Sequence, residues 1–240
     1  MFSFPEVFKA KIVELSDLNS NTIKYIFEVI EGKFNYKAGQ FVMLNFIDPF
    51  DNKTPVSRAY SVASKPSDNK FELCIELIEG GKAGTFLKNV KLGDVLDFKG
   101  PFGHCILPTN IENKEILLVA TGTGIAPIKA ILEDVADKNL NNKIKLLFGM
   151  RFIEQVYYLE EIQNFQNTIA NLDVKICISK PEKENPHFTG RVSNFYEVDN
   201  FNENTLIYAC GNGQMVREIR QLALDKNVPK NQILVEIFDS

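Results

Sequence analysis

Three short stretches of the sequence carry residue types whose spacing could do chemistry. In the first, Thr121-Gly122-Thr123-Gly124-Ile125-Ala126-Pro127 follows directly on the apolar run Ile116-Leu117-Leu118-Val119-Ala120. A strand that feeds glycines into a helix presents unpaired backbone N–H groups and the positive end of the helix dipole, which together can grip a phosphate. Gly122 and Gly124 let the chain turn sharply and let a ligand approach closely. Pro127 stands where a G-x-G-x-x-G loop has its third glycine, yet a proline in the first helical turn has no needed N–H and a favourable φ, so it reads as a helix start. A dinucleotide loop of that kind also wants an acid at the end of the following strand. Here the next apolar run ends in Phe148-Gly149-Met150-Arg151. Alone, the motif reads equally as an ordinary glycine-rich strand–helix turn. In the second stretch, Arg58-Ala59-Tyr60-Ser61 offers a forked cation, an aromatic face and a hydroxyl. In the third, Cys210-Gly211-Asn212-Gly213-Gln214-Met215 places a thiol ahead of a glycine-containing turn; a buried structural thiol is the plain alternative there. Cys74, Cys105, Cys177 and Cys210 lie far apart, without a C-x-x-C pair, and the chain has only two histidines. A structural metal or cluster is not expected.

The elements that must position these stretches fall into two textures. Before about residue 108 come short runs rich in β-branched and aromatic residues, at 11–15, 22–29, 41–46, 59–63, 71–78 and 95–98. Turn-prone clusters such as DPFDNKTP and SKPSDNK separate them. Six such runs predict an antiparallel six-stranded barrel, interrupted by one helix-like insert over 84–90. After residue 108, apolar runs at 116–120, 144–148, 174–178, 205–209 and 233–238 alternate with segments long enough for crossover helices. That alternation predicts a five-stranded parallel sheet in an α/β domain. The expected organisation is a β-barrel domain over 1–108 and an α/β domain over 109–240, joined near Pro108-Thr109-Asn110. The 240 residues are 45% apolar and 24% charged, with a net charge of −4, which describes a folded protein and gives no encouragement to nucleic-acid binding. The front half balances its charges and the back half carries the whole negative excess, which weakly favours an acidic protein approaching the front half. No apolar run reaches the roughly 20 residues of a membrane span. The N-terminus lacks the pattern of a secretory signal, so a cytoplasmic location is expected.

Together and in order, R-x-Y-S, a Gly-Thr pair opening a short helix, G-T-G-x-x-P and C-G-x-x-x-M resemble the ferredoxin–NADP reductase superfamily of flavoproteins, over essentially the whole chain. The resemblance implies an FAD-binding barrel followed by a nicotinamide-nucleotide domain. It implies that Arg58, with Ala59 beside it, meets the flavin phosphate, that Tyr60 stacks on the isoalloxazine, and that Ser61 lies near flavin N5. Gly84 and Thr85 match the pair at the flavin pyrophosphate. Thr121, Gly122, Thr123, Gly124 and Pro127 match the loop that receives the nicotinamide nucleotide. Cys210, followed by Gly211 and Met215, matches the cysteine beside the nicotinamide ring; it is not expected to act as a nucleophile, because hydride transfer needs none. Glu236 matches an acid near the flavin–nicotinamide junction, so Ser61, Cys210 and Glu236 are the expected catalytic residues. Many relatives carry prolines after Cys-Gly, whereas this chain has Asn212-Gly213, and many end on an aromatic that covers the flavin, where Phe238 is the last aromatic here.

NADPH-using relatives carry Ser-Arg after the third strand of the second domain, then Gly-Arg. This chain has Ser179-Lys180, then Gly190-Arg191, with Arg151 ending the second strand. A 2′-phosphate needs such partners in place of a ribose acid, so NADPH is expected as the preferred donor and NADH as the alternative. Glu182 and Glu184 beside these cations allow a plain solvated loop instead. The implied activity moves hydride between NAD(P)H and FAD and electrons onward to a one-electron carrier, ferredoxin or flavodoxin, by a monomer or homodimer. Reduction of free flavin, or service as the electron-transfer component of a larger oxygenase or dehydrogenase complex, are the alternatives.

Overall fold

The structure, a computed structural model, describes residues 4–111, 113–182, 184–196 and 202–238. Two sheets account for most of it. The first contains β1 (Glu6–Asp17), β2 (Thr22–Glu31), β3 (Phe41–Ile47), β4 (Pro55–Ser61), β5 (Lys70–Glu76) and β6 (Val95–Phe102), with the helix α1 (Lys82–Leu87) inserted before β6. All pairings are antiparallel, in the order β4-β3-β6-β1-β2-β5. The edge strands β4 and β5 approach each other just beyond Ser61, through the bridge Val62–Leu73 and the bond from Ala63 N–H to the Glu72 carbonyl. That closure curls the sheet into the expected barrel.

The barrel is filled from alternate positions of its strands, as the two-residue side-chain period requires. Phe8, Phe27, Phe71 and Phe98 are fully buried and meet in stacked and edge-on pairs with centroids 5.0–5.9 Å apart. Each buried aromatic contributes roughly 1.5–3 kcal/mol by leaving water. The register opposes Leu44 to Arg58 and Val42 to Tyr60, so Arg58 and Tyr60 share the inward side of β4 while Ala59 faces outward and is exposed.

The second sheet contains β7 (Glu115–Thr121), β8 (Ile144–Met150), β9 (Leu172–Ile178), β10 (Phe188–Thr189), β11 (Thr205–Gly211) and β12 (Ile233–Ile237), all parallel, in the order β10-β9-β8-β7-β11-β12. The helices are α2 (Ile125–Asp137), α3 (Leu159–Thr168), α4 (Val192–Tyr196) and α5 (Gly213–Asp225). The five apolar runs are the five long strands. The sixth strand, β10, is a two-residue extension at the edge beside Cys177 and Ile178. Strands β7 and β11 are buried on both faces, which is why they read as continuous apolar runs rather than alternating ones. Among the described residues, no helix is long and apolar enough to cross a membrane.

Candidate functional site

The turn after β7 begins with a 3-10 turn, Gly122–Gly124, and continues into α2 with Pro127 in its first turn. The two glycines serve different ends. Gly122 has φ +55 and open space around its Cα, whereas a Cβ on Gly124 would lie 2.1 Å from the Cys210 carbonyl. Gly124 is therefore a close-packing residue under β11, and Gly122 is the one exposed to an approaching ligand. Gly211 answers from the other strand: at φ +128, a Cβ there would sit 2.5 Å from the Thr121 carbonyl. Asn212 ties this turn at both ends. Its N–H donates to Thr121 Oγ1 (3.0 Å), and its side chain caps α5 by accepting from the N–H groups of Gln214 and Met215.

A cavity of about 600 Å³ runs along the C-terminal ends of β7, β8 and β9. Thr121, Gly122, Arg151, Ser179, Lys180 and Arg191 all line it, with Met215 at the α5 end; Thr123, Gly124 and Pro127 are not among its lining residues. Backbone bonds set the two basic loops side by side, from Ser179 N–H to the Met150 carbonyl (3.0 Å) and from Lys180 N–H to the Arg151 carbonyl (2.9 Å). Among the described residues, Arg151, Lys180 and Arg191 have no carboxylate partner. The two acids in the wall are engaged by neutral amides instead, Glu218 by Gln214 and Glu76 by Asn21. Three unpaired cations at the open end of a parallel sheet suit an anionic group of high charge, such as a phosphate. The sequence reading missed the far wall, where Asn19, Asn21 and Glu76 reach in from the barrel. No local signal marks them, because they are ordinary turn and strand-end residues brought there by the packing of the two sheets.

A second constellation lies where the sheets meet. Ser61, at the end of β4, donates a hydrogen bond to Glu236 Oε2 on β12 (2.9 Å). Glu236 stands opposite Cys210 in the parallel register of β11 and β12. Glu236 thus links the other two expected catalytic residues, hydrogen-bonded to Ser61 from 175 positions away and one strand spacing from Cys210. Burial pushes the Glu236 carboxyl up to about 7, against the opposing pull of the Ser61 hydroxyl. Cys210 is fully buried with its Sγ 3.9 Å from that of Cys105. Its neighbouring thiol and its burial hold its own thiol well above the usual range, so it is protonated and is not a nucleophile. Phe238, half-buried, extends β12 by donating its N–H to the Gly211 carbonyl (2.9 Å).

On the barrel, α1 packs over the side of the sheet that carries Arg58 and Tyr60, clamped by a stacked Phe46–Phe86 pair with centroids 4.6 Å apart. Arg58 is exposed, bonded through Nη1 to the Ser57 carbonyl (2.9 Å), and has no carboxylate partner among the described residues. Tyr60 is half-buried, its phenol pushed up to about 12 by burial with the Arg58 charge opposing. Gly84 packs tightly, since a Cβ would lie 2.4 Å from the Ile78 carbonyl. The Thr85 N–H is bonded to the Gly81 carbonyl within α1, which leaves its hydroxyl as the group available for contact. Lys82, the first residue of α1, is engaged by Asp48 (2.5 Å). An unpaired guanidinium, an aromatic face and the first-turn N–H groups of a helix on one side of a barrel match the demands of a flavin nucleotide, which is anionic at its pyrophosphate and flat at its ring.

Comparison with known proteins bears on both halves. Residues 9–106 match the model of an oxidoreductase FAD-binding domain, and residues 118–221 match that of an oxidoreductase NAD-binding domain. Ferredoxin--NADP reductase B of Sorangium cellulosum is 29% identical over 98% of this chain and 98% of its own. The toluate 1,2-dioxygenase electron transfer component of Pseudomonas putida is 28% identical over 96% of this chain and 67% of its own. In fold, the chain superposes on the Amycolatopsis cytochrome P450 reductase GcoB with a TM-score of 0.86, at 21% identity over 98% of this chain and 70% of that one. The barrel with its arginine and helix start, the cationic cleft and the junction between them, with these matches along both halves, identify the chain as a member of the ferredoxin–NADP reductase superfamily and an FAD-dependent NAD(P)H oxidoreductase.

Proposed function

We propose that the chain oxidises NADPH and delivers the electrons, one at a time, to a ferredoxin or flavodoxin. Arg58 would hold the flavin phosphate, Tyr60 would lie against the ring, and Thr85 with the start of α1 would meet the pyrophosphate. FAD, when bound, supplies hydride acceptance at N5 and stepwise release of the two electrons. The chain's own residues then do the rest. The cleft orients the nicotinamide nucleotide, with Gly122 giving close backbone approach and Arg151, Lys180 and Arg191 meeting its charge. Arg151, Lys180 and Arg191 support NADPH over NADH, because a ribose hydroxyl would leave their charge unmatched while a 2′-phosphate would match it. The protonated Cys210 is fully buried behind the Gly124 turn, so it offers no competing nucleophile to a nicotinamide ring in the cleft. Ser61 Oγ and Glu236 Oε2 form a path on which a proton can be held and passed, since Glu236 titrates near 7.

The observation that carries this reading is the Ser61–Glu236 hydrogen bond, which joins the barrel to the parallel sheet at the position of Cys210. The carrier is supported by the names of relatives, one a ferredoxin reductase and one a dioxygenase electron transfer component. Anaerobic mixing with NADPH and with NADH, followed by reduction of ferredoxin and flavodoxin in parallel, tests it. Equal rates with the two nucleotides would remove the 2′-phosphate assignment, and failure to reduce either carrier would favour free flavin as the acceptor.

A further inference from the structure

Tyr158 precedes α3 with φ 60 and ψ 24, in the left-handed region. For a bulky L residue that conformation is strained, and it normally falls to glycine or asparagine. This chain follows that rule elsewhere: the other non-glycine residues at positive φ among those described, Asn52, Asn113, Asn139 and Asn227, are all asparagines. A tyrosine persists in such a place only where the surroundings over-determine it.

Those surroundings are a buried charged cluster that spans the two sheets. The Tyr158 hydroxyl donates to Glu72 Oε1 (2.6 Å), and Glu72 Oε2 accepts from Lys129 Nζ (3.2 Å). Lys129 also donates to Glu133 Oε1 (2.7 Å) and to the Ala63 carbonyl (3.0 Å), and its ammonium lies 5.3 Å from the Tyr158 ring centroid. Glu133 in turn accepts from the Lys65 N–H (2.7 Å). Ala63, Lys65 and Glu72 belong to the barrel, whereas Lys129 and Glu133 lie on α2 and Tyr158 begins α3. Tyr158, Lys129 and Glu72 are 3%, 5% and 9% exposed. Burial disfavours charge on both ionised partners, but the two carboxylates outweigh it at Lys129 and hold its ammonium above the usual range. Apolar residues of similar volume could join two surfaces at least as stably, so a buried ionic cluster points to one defined geometry rather than to added stability.

The elements it joins are those that carry the two sites. Helix α2 starts with the Gly122–Gly124 turn, and the β8–α3 connection carries Arg151 and Tyr157 of the cleft. The same connection meets the barrel a second time, where Asn19 Nδ2 donates to the Gln155 carbonyl (3.1 Å). We propose that Tyr158 is a positioning residue: through Glu72 and Lys129 it locks the angle between barrel and parallel sheet, and so sets the distance over which hydride passes from nicotinamide to flavin. The inference rests on the flavin lying on the barrel and the nicotinamide nucleotide in the cleft.

The test uses Tyr158→Phe and Tyr158→Gly in the flavin-loaded protein. Because the three cations that would hold the nucleotide's charge, Arg151, Lys180 and Arg191, all lie on the parallel-sheet side of the cleft, the Kd of NADP⁺ measured by calorimetry is expected to stay within about twofold, while the flavin bleaching rate at saturating NADPH falls about tenfold. Spin labels on Lys53→Cys and Arg220→Cys, both exposed while the four native cysteines are buried, report the inter-sheet distance by pulsed electron resonance. The distribution is expected to broaden in both variants. Glycine relieves the backbone strain, so if position 158 only needs a left-handed residue, Tyr158→Gly keeps the wild-type rate and distribution, and the proposal is overturned. A lowered melting temperature with unchanged rate and distribution overturns it too, as does weaker NADP⁺ binding with an unchanged rate. Should Tyr158→Phe fail to fold, Glu72→Gln, which keeps shape and one acceptor, is judged on the same readouts. If wild type bleaches with neither nucleotide, the functional reading fails while the distance distributions still judge the lock.

Discussion

Glu236 gives a prediction whose size follows from its surroundings. In the folded protein its carboxyl titrates near 7 rather than at the ordinary 4.5, because burial disfavours its charge more than the Ser61 hydroxyl favours it. In the unfolded chain it titrates at the ordinary value. Between those two limits the folded state holds a proton that the unfolded state has lost, so stability falls as pH rises through that window and levels off above it. The separation between 4.5 and about 7 is worth about 3 kcal/mol. Glu236→Gln keeps the size and can still accept from Ser61, but it does not titrate. Guanidinium unfolding of the flavin-free protein, wild type against Glu236→Gln, at intervals from pH 5 to 8 isolates the group, since every other titration cancels in the difference. Wild type is expected to lose about 2.5 kcal/mol relative to the variant across that range, because pH 5 already lies above the ordinary value. Ser61→Ala removes the donor that favours the charged form and should move the window to higher pH. Parallel stability curves for wild type and Glu236→Gln would refute the claim that the Glu236 carboxyl titrates near 7 at the junction.

Other expectations can be checked one residue at a time. Arg58→Ala removes a charge-assisted contact of about 1.5–3 kcal/mol, so the FAD dissociation constant should rise roughly 10- to 100-fold in fluorescence titrations. Lys180→Ala with Arg191→Ala should lower the NADPH-to-NADH ratio of kcat/KM by about tenfold or more while leaving kcat with NADH nearly unchanged. The two glycines of the strand–helix turn should part company: Gly122→Ala, with φ +55 and open space, costs about 1–2 kcal/mol of stability. Gly124→Ala drives a Cβ to 2.1 Å from the Cys210 carbonyl, and calorimetry should show it far less stable or unable to fold.

The strands whose faces are both buried were legible because their sequences carry little else: Ile116–Ala120 and the 205–209 run became β7 and β11 with boundaries shifted by one or two residues. Edge and surface strands were harder. β4 starts at Pro55, within a stretch that reads as a turn, because an edge strand with one exposed face tolerates proline and polar residues. β10 is two residues long and has no period to detect. The site divided in the same way. Thr121, Arg151, Lys180 and Arg191 were visible because they sit at strand ends within recognisable motifs. Asn21 and Glu76 were not, since only the docking of the barrel onto the parallel sheet brings them to the cleft. The Tyr158–Glu72–Lys129 cluster was equally hidden, because a buried ion pair between residues 57 positions apart leaves no local trace in either segment.

The central claim is that one chain binds FAD on its barrel and reduces it with a nicotinamide nucleotide held in the cationic cleft. Anaerobic stopped-flow mixing of the flavin-loaded protein with NADPH, followed at the flavin absorbance band, tests this most directly. The expected result is complete bleaching in a fast phase that saturates with NADPH and is slower with NADH. A protein that retains no FAD, or whose flavin band is unchanged by either nucleotide, would contradict it.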